Sequence, residues 1–250
     1  TEQLRLIESR DKGKSRDVKT RKVLEKLQQD LNMPSLPVHI ECFDNSNLQG
    51  SNPVAACVVF RNGVPSNKDY RHFSIKTVEG PNDFASMKEV VTRRYSRVLR
   101  EKQPLPQLVV IDGGKGQLSA AFSALKDLQL VPAVTVIGLA KRLEEIYLAT
   151  DKTPLFLDKN SSSLRILMHL RNEAHRFGIT FHRKKRSSGF ARSVLTDVPG
   201  IGPRTMERLM VRYGSLKHIE KATLEELSGV IPAKTAQKLR DYLDAQGTGS

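Results

Sequence analysis

Three aspartates and one histidine stand where phosphodiester chemistry could use them. Asp44 closes the run His39-Ile40-Glu41-Cys42-Phe43-Asp44, and Asp112 closes Leu108-Val109-Val110-Ile111-Asp112. Side chains alternate along a strand, so Asp44 shares a face with Val38, Ile40 and Cys42. A carboxylate on that apolar face is costly unless it is paired or bound to a metal. If the two runs are neighbouring parallel strands, their terminal carboxylates meet at the end of the sheet where α/β proteins usually bind ligands. Magnesium is held by one or two carboxylates together with phosphate and water. A metal pair about 3.5–4 Å apart would stabilise both the attacking and the leaving oxygen of a hydrolysed phosphodiester. Each residue also has a plainer reading. Asp112 precedes Gly113 and Gly114, and Asp-Gly is a common turn. Asp83, in Pro81-Asn82-Asp83, suits the cap of a following helix as well as it suits an accessory acid. His175 has a side chain fitted to proton transfer near neutral pH. Its place at the edge of an apolar helical arc (Leu164, Leu167, Met168, Leu170, Ala174, Phe177) nevertheless favours a core histidine by spacing alone. His169, Glu173 and Arg176 point away from that arc.

The stretch Ile111-Asp112-Gly113-Gly114-Lys115-Gly116-Gln117 resembles a phosphate loop only superficially. It lacks the Gly-x-x-x-x-Gly-Lys-Ser/Thr spacing, so nucleoside triphosphate binding is rejected. Glycine-rich backbone beside Lys115 still suits the approach of a DNA phosphate.

The elements that must position these residues follow from periodicity. Val23, Leu24, Leu27 and Leu31 predict a helix over 18–31, ended by Pro34 and Pro37. Strands are expected at 38–44, 53–60 and 70–75, with an Asn62-Gly63 turn after the second. A helix over 81–100, a buried strand at 108–111, a helix over 118–130 and a second buried strand at 133–139 follow. A short hairpin (146–149 with 154–157) precedes a long helix from Ser161 to about Phe177. This order predicts an α/β fold: a ribonuclease H-like mixed sheet with flanking helices. Arg183-Lys184-Lys185-Arg186-Ser187-Ser188-Gly189 then reads as a basic linker, with the domain boundary there. The expected division is a polar tail at 1–17, the α/β domain at 18–182, a linker at 183–190, a small all-α domain at 191–245 and a tail at 246–250.

Within that all-α domain, Val198-Pro199-Gly200-Ile201-Gly202-Pro203 fits the hairpin of a helix-hairpin-helix, whose glycines let backbone N–H groups approach a phosphate. Arg204, Thr205 and Arg208 add charge and hydrogen bonds that hold a backbone without reading sequence. Leu227-Ser228-Gly229-Val230-Ile231-Pro232 is a weak echo. It keeps Gly229 but has Ile231 and Pro232 where the second glycine should fall, with Lys234 and Thr235 available to compensate. The plainer reading is a helical turn with Gly-Pro punctuation.

Composition sets the partner. The chain has 250 residues and a net charge of +14, which in a protein with 38% hydrophobic residues points to a polyanion. No apolar run reaches the ~18 residues of a membrane span, and the charged start has no signal-peptide core, so no membrane association is expected. A start on Thr1 rather than Met is expected of a piece of a larger protein. Cys42 and Cys57 lie in apolar runs without ligand spacing, which suggests a reducing cytoplasm and argues against zinc.

Four segments taken in order carry a specific resemblance. Ile40-Glu41-Cys42-Phe43-Asp44-Asn45-Ser46, Gly80-Pro81-Asn82-Asp83-Phe84-Ala85-Ser86-Met87, Ile111-Asp112-Gly113-Gly114-Lys115-Gly116-Gln117-Leu118 and Arg171-Asn172-Glu173-Ala174-His175-Arg176-Phe177 look like the endonuclease domain of the UvrC family. The resemblance implies a ribonuclease H-like fold, Mg²⁺ or Mn²⁺ dependence, and the 5′ incision of nucleotide excision repair. It implies a catalytic triad of Asp44, Asp112 and His175, with the metal on Asp44 and Asp112 and with Asp83 accessory. A histidine departs from the all-carboxylate site usual in the wider superfamily. Implied partners are double-stranded DNA with a lesion or bubble and the UvrB–UvrA damage-recognition system. The tandem hairpins would straddle a minor groove. The family's 3′-incision nuclease domain and partner-binding segment have no counterpart in these residues, so this chain alone is not expected to make both cuts. A DNA-binding scaffold and a junction resolvase are the alternatives.

Overall fold

The computed structural model describes residues 17–46, 54–78, 82–140, 145–149, 151 and 153–247. The chain divides into two compact units, Thr1–Ile179 and Thr180–Ser250.

The first unit is built on a mixed sheet. Helix α1 (residues 17–30) buries Leu24 and Leu27. Strand β1 (His39–Ser46) pairs antiparallel with β2 (Val54–Arg61), which turns through Asn62-Gly63 into β3 (Val64–Pro65). Both turn residues have positive φ, 49° and 75°, as a two-residue primed hairpin turn requires. After a 3₁₀ turn (Asn67–Asp69), β4 (Arg71–Ser74) pairs with β2 further along the same edge. Sequence periodicity anticipated β4 but not β3, whose two residues are too few to show a period.

Helix α2 (Asp83–Arg100), β5 (Leu108–Asp112), α3 (Lys115–Asp127), β6 (Thr135–Leu139) and β7 (Ile146–Leu148) follow. The hairpin anticipated after β6 consists of β7 and a single bridge, Ile146 to Leu155. Among the described residues the strand order is β3-β2-β1-β5-β6-β7, with β4 beside β2. β1, β5 and β6 run parallel; the flanking pairs are antiparallel. Leu108 to Ile111 are fully buried, as expected of a parallel strand covered on both faces.

Alternation along β1 assigns the two faces. Glu41 and Phe43 face α2, meeting Arg94 and Tyr95. Ile40, Cys42 and Asp44 face the other way, toward α4 (Ser162–Thr196), whose His175 bonds Asp44. α3 begins at Lys115, three residues before its apolar period starts. This first turn lies close against α2, where a Cβ on Gly116 would be 2.5 Å from the Phe84 ring.

α4 extends beyond Phe177 to Thr196 and includes the stretch 183–190 read from composition as a linker. Lysine and arginine are good helix formers, and only the glycine of that stretch opposes helix. The boundary between the two units, after Ile179, falls within this helix.

The second unit is helical: α5 (Pro203–Tyr213), α6 (Leu216–Lys221), α7 (Leu224–Ser228) and α8 (Ala233–Gly247). Leu195, Val198, Ile201, Leu209, Ile219, Leu227, Ile231 and Leu239 form its core. Gly214 ends α5 in the left-handed region, and Thr223 and Glu226 make a capping box on α7.

Candidate active site

Parallel pairing of β1 with β5 sets Asp44 directly opposite Asp112, at the carboxyl ends of both strands. Partners in register share a face, so both carboxylates emerge on the α4 side of the sheet, one strand spacing (about 4.8 Å) apart. Both are buried, Asp44 at 2% and Asp112 at 4% exposure. Two like charges taken from water this close together need a cation or a proton between them.

α4 brings His175 over this pair. Its Nδ1 lies 3.3 Å from Asp44 Oδ2, and one donor atom from each of Asp44, Asp112 and His175 lies within 4.8 Å of the others. The His175 side chain is 55% exposed. The core reading favoured by spacing is therefore corrected. A helical wheel gives the direction of a side chain but not which residue of the sheet lies beneath it, and beneath His175 lies Asp44. Two carboxylates and an imidazole form an oxygen–nitrogen donor set of the kind that can hold a divalent metal ion. Burial, reinforced by the charges of Asp112 and Asp44 and opposed by that of Arg171, pushes Cys42 well above the ordinary thiol range.

Asp83 is exposed at the first position of α2, and its carboxylate is not part of the three-residue group. It does not cap the helix either: Asn82 does, accepting from the Ala85 amide at 3.0 Å. Asn45 Nδ2 donates to the Asp83 carbonyl oxygen at 2.9 Å, which ties the start of α2 to the residue after Asp44. Sequence reading missed Asn45, whose signal was its position beside the key aspartate.

The Asp112-Gly113 step leads from strand to helix, with the Gly113 amide donating to the Ile111 and Leu139 carbonyls at 2.9 and 3.2 Å. Gln117 folds over Gly113, occupying the space a Cβ would need. Lys115 opens α3, and its ammonium lies 4.8 Å from the centre of the Tyr147 ring, a cation–π contact that sequence could not show.

On the opposite face of β1 lies a second buried carboxylate with a different role. Glu41 accepts from Arg94 Nε at 3.1 Å and Tyr95 Oη at 3.0 Å, with His39 Nε2 at 3.1 Å. Burial raises its pKa, but His39 and Arg94 together outweigh burial and hold it at about 2. This cluster anchors β1 to α2 away from the Asp44 face.

In the helical unit, Gly200 has φ +98°, a conformation open mainly to glycine, and Gly202 stands at the N-cap of α5. Val198 and Ile201 are buried, while Arg204 and Arg208 are exposed and Thr205 is half-buried. The second copy is real but shifted by one residue from the alignment read in sequence. The Ile201 amide bonds to the Val198 carbonyl, three residues back, whereas the Ile231 amide bonds to Leu227, four back. Buried Ile231 therefore matches Ile201, Pro232 matches Gly202, and Lys234 and Thr235 match Arg204 and Thr205. Gly229, with φ −71°, is not the counterpart of Gly200. The hairpins adjoin: a Cβ on Gly200 would lie 3.4 Å from Thr235 Oγ1.

A mixed sheet with paired acids at the ends of adjacent parallel strands, followed by a helical tandem hairpin, defines an RNase H-like endonuclease domain joined to a helix-hairpin-helix domain. A family model described as the UvrC RNAse H endonuclease domain matches residues 28–179, and one described as a SAM-like helix-hairpin-helix tandem matches 193–245. The chain is 56% identical over 221 residues to the UvrABC system protein C of Flavobacterium johnsoniae, covering 88% of this chain and 37% of that protein. It is 47% identical over 222 residues to the UvrABC system protein C of Chlorobaculum tepidum, covering 89% of this chain and 35% of that protein. Among solved structures, human ENDOV is 12% identical with a TM-score of 0.39, covering 67% of this chain and 98% of that one. The chain belongs to the UvrC family, and it spans little more than a third of the length of these curated relatives. Among the described residues, no helix is long and apolar enough to cross a membrane.

Proposed function

We propose that this chain is a metal-dependent endodeoxyribonuclease that makes the 5′ incision of nucleotide excision repair. The observation that carries the reading is the meeting of Asp44, Asp112 and His175 at one end of the sheet. Asp44 and Asp112 would hold Mg²⁺ or Mn²⁺. When bound, such an ion supplies Lewis-acid stabilisation of the phosphoryl charge and activates water. The buried carboxylates keep one face of the site anionic and oriented, and His175 exchanges a proton with the reacting oxygens. Asp83 acts from the rim, and Lys115 attracts the DNA backbone.

The helix-hairpin-helix tandem would grip duplex DNA through phosphate, using Gly200, Ile201, Gly202, Arg204, Thr205 and Arg208, and from the second copy Lys234 and Thr235. We place the nuclease domain at 18–182, a basic connection at 183–190 and the binding domain at 191–245. The working partners are lesion- or bubble-containing duplex and the UvrA–UvrB damage-recognition proteins, in the cytoplasm.

The test is incision of a 5′-labelled duplex carrying one bulky lesion by the full-length protein with its damage-loading partners. Loss of the 5′ cut in Asp112→Asn or without Mg²⁺, with the 3′ cut and DNA binding retained, is the expected result. Normal cutting by the variant would overturn the metal-site assignment and favour a DNA-binding scaffold.

A further inference from the structure

His175 needs support that its own contacts do not supply. It is 55% exposed, and its hydrogen bond to Asp44 is long at 3.3 Å. The residues two before and two after it are held firmly. Glu173 accepts from Tyr70 Oη at 3.1 Å, and the Phe177 carbonyl lies 3.1 Å from His72 Nε2. The Phe177 ring stacks on the His72 ring with centroids 3.7 Å apart and planes 16° from parallel, and it meets the Tyr70 ring edge-on at 5.0 Å.

Glu173 and Phe177 are four residues apart and share one side of α4, while His175 lies about 200° around the helix from each, at 3.6 residues per turn. Tyr70 and β4 therefore grip one side of the helix and leave another side to present the imidazole. The grip and the carboxylate belong to one ladder: His72 pairs with Ala56, and Ala56 pairs with Asp44. The height of His175 above Asp44 is thus set by hydrogen-bonded strands rather than by a loop.

We propose that Tyr70 and His72 are positioning residues that clamp the α4 turn carrying His175 over the Asp44–Asp112 pair. This rests on the metal-site reading above, extended so that in the DNA-free chain the His175 imidazole is a third donor to the ion that the two carboxylates would hold. The donor from His72 fixes the Phe177 carbonyl, its ring fixes the Phe177 side chain, and Tyr70 fixes Glu173. Loosening either contact lets the turn rise and takes the imidazole out of reach of the carboxylates.

The test is Mn²⁺ titration of this 250-residue chain by electron paramagnetic resonance, with the His175 imidazole followed separately by NMR in the absence of metal. His72→Ala is expected to weaken Mn²⁺ about tenfold, as loss of an outer support does elsewhere, and to move the His175 ring signals. His72→Gln, which returns an N–H donor, is expected to restore most of the affinity. His72→Phe, which keeps only the ring, is expected to restore less. Tyr70→Phe removes one hydrogen bond without a cavity and should shift the same signals. In a His175→Ala background, His72→Ala should add nothing. Unchanged His175 signals in His72→Ala, or an equal loss of affinity with and without His175, would overturn the clamp. Wild-type Mn²⁺ affinity in Asp112→Asn would instead overturn the metal-site reading, and the metal-free NMR comparison would still decide the clamp.

Discussion

Asp44 and Asp112 occupy the same step of the parallel β1–β5 ladder and the same face of the sheet, each almost wholly buried. Their proximity is unfavourable without a cation. Mn²⁺ or Mg²⁺ at about a hundred times its dissociation constant should stabilise the wild-type domain by about 2.7 kcal/mol. In a unit of this size that corresponds to several degrees in Tm, at roughly 2–4 °C per kcal/mol. Asp112→Asn should abolish this shift, because one of the two carboxylates that would hold the ion is gone. Differential scanning fluorimetry with and without metal reads both effects.

Glu41 behaves oppositely, because its partner is an arginine. Glu41→Gln would leave the Arg94 charge buried without its counter-ion, at a cost of about 3–5 kcal/mol. The pH dependence has a definite sign. The folded pKa of about 2 lies below the ordinary value of 4.5. The carboxylate therefore contributes its stability above about pH 4.5 and loses it as pH falls toward 2. The total is about 3 kcal/mol at 1.36 kcal/mol per unit. Urea unfolding from pH 6 to 3 should show a steeper loss in wild type than in Glu41→Gln.

Gly200 and Gly229 look equivalent in sequence and differ in backbone. Gly200→Ala forces a side chain into φ +98° and should cost about 1–3 kcal/mol. Gly229→Ala, at φ −71° with ordinary contacts around a Cβ, should be neutral or stabilise by up to about 1 kcal/mol. Thermal unfolding of the two variants distinguishes this register from the one in which Gly229 mirrors Gly200.

Arg204 and Lys234 stand at matched positions at the starts of α5 and α8, both exposed. If each neutralises one phosphate, alanine at either should lower the slope of log affinity against log salt by about 1 and weaken all duplex sequences alike. Fluorescence anisotropy across a salt series measures the slope; a sequence-dependent effect would argue against backbone binding.

Much of the site was legible in the chain itself. Two apolar runs ending in aspartate predicted strands whose carboxylates would be paired or metal-bound, because periodicity and the cost of burying a charge are local facts. The first hairpin was legible for the same reason, through Gly200, whose backbone conformation favours glycine. Which strands are neighbours is not local, and only the β1–β5 pairing placed Asp44 opposite Asp112. His175 is the sharpest case. Its helical wheel pointed to the core, and only the tertiary packing of α4, held by Tyr70 and His72 of a strand edge about a hundred residues earlier, carries it to the carboxylates. The one-residue shift in the second hairpin was likewise hidden, since a four-residue turn and a three-residue turn differ in hydrogen bonding and not in composition. Local preference is written residue by residue, whereas register and proximity arise from which apolar faces the whole chain can bury together.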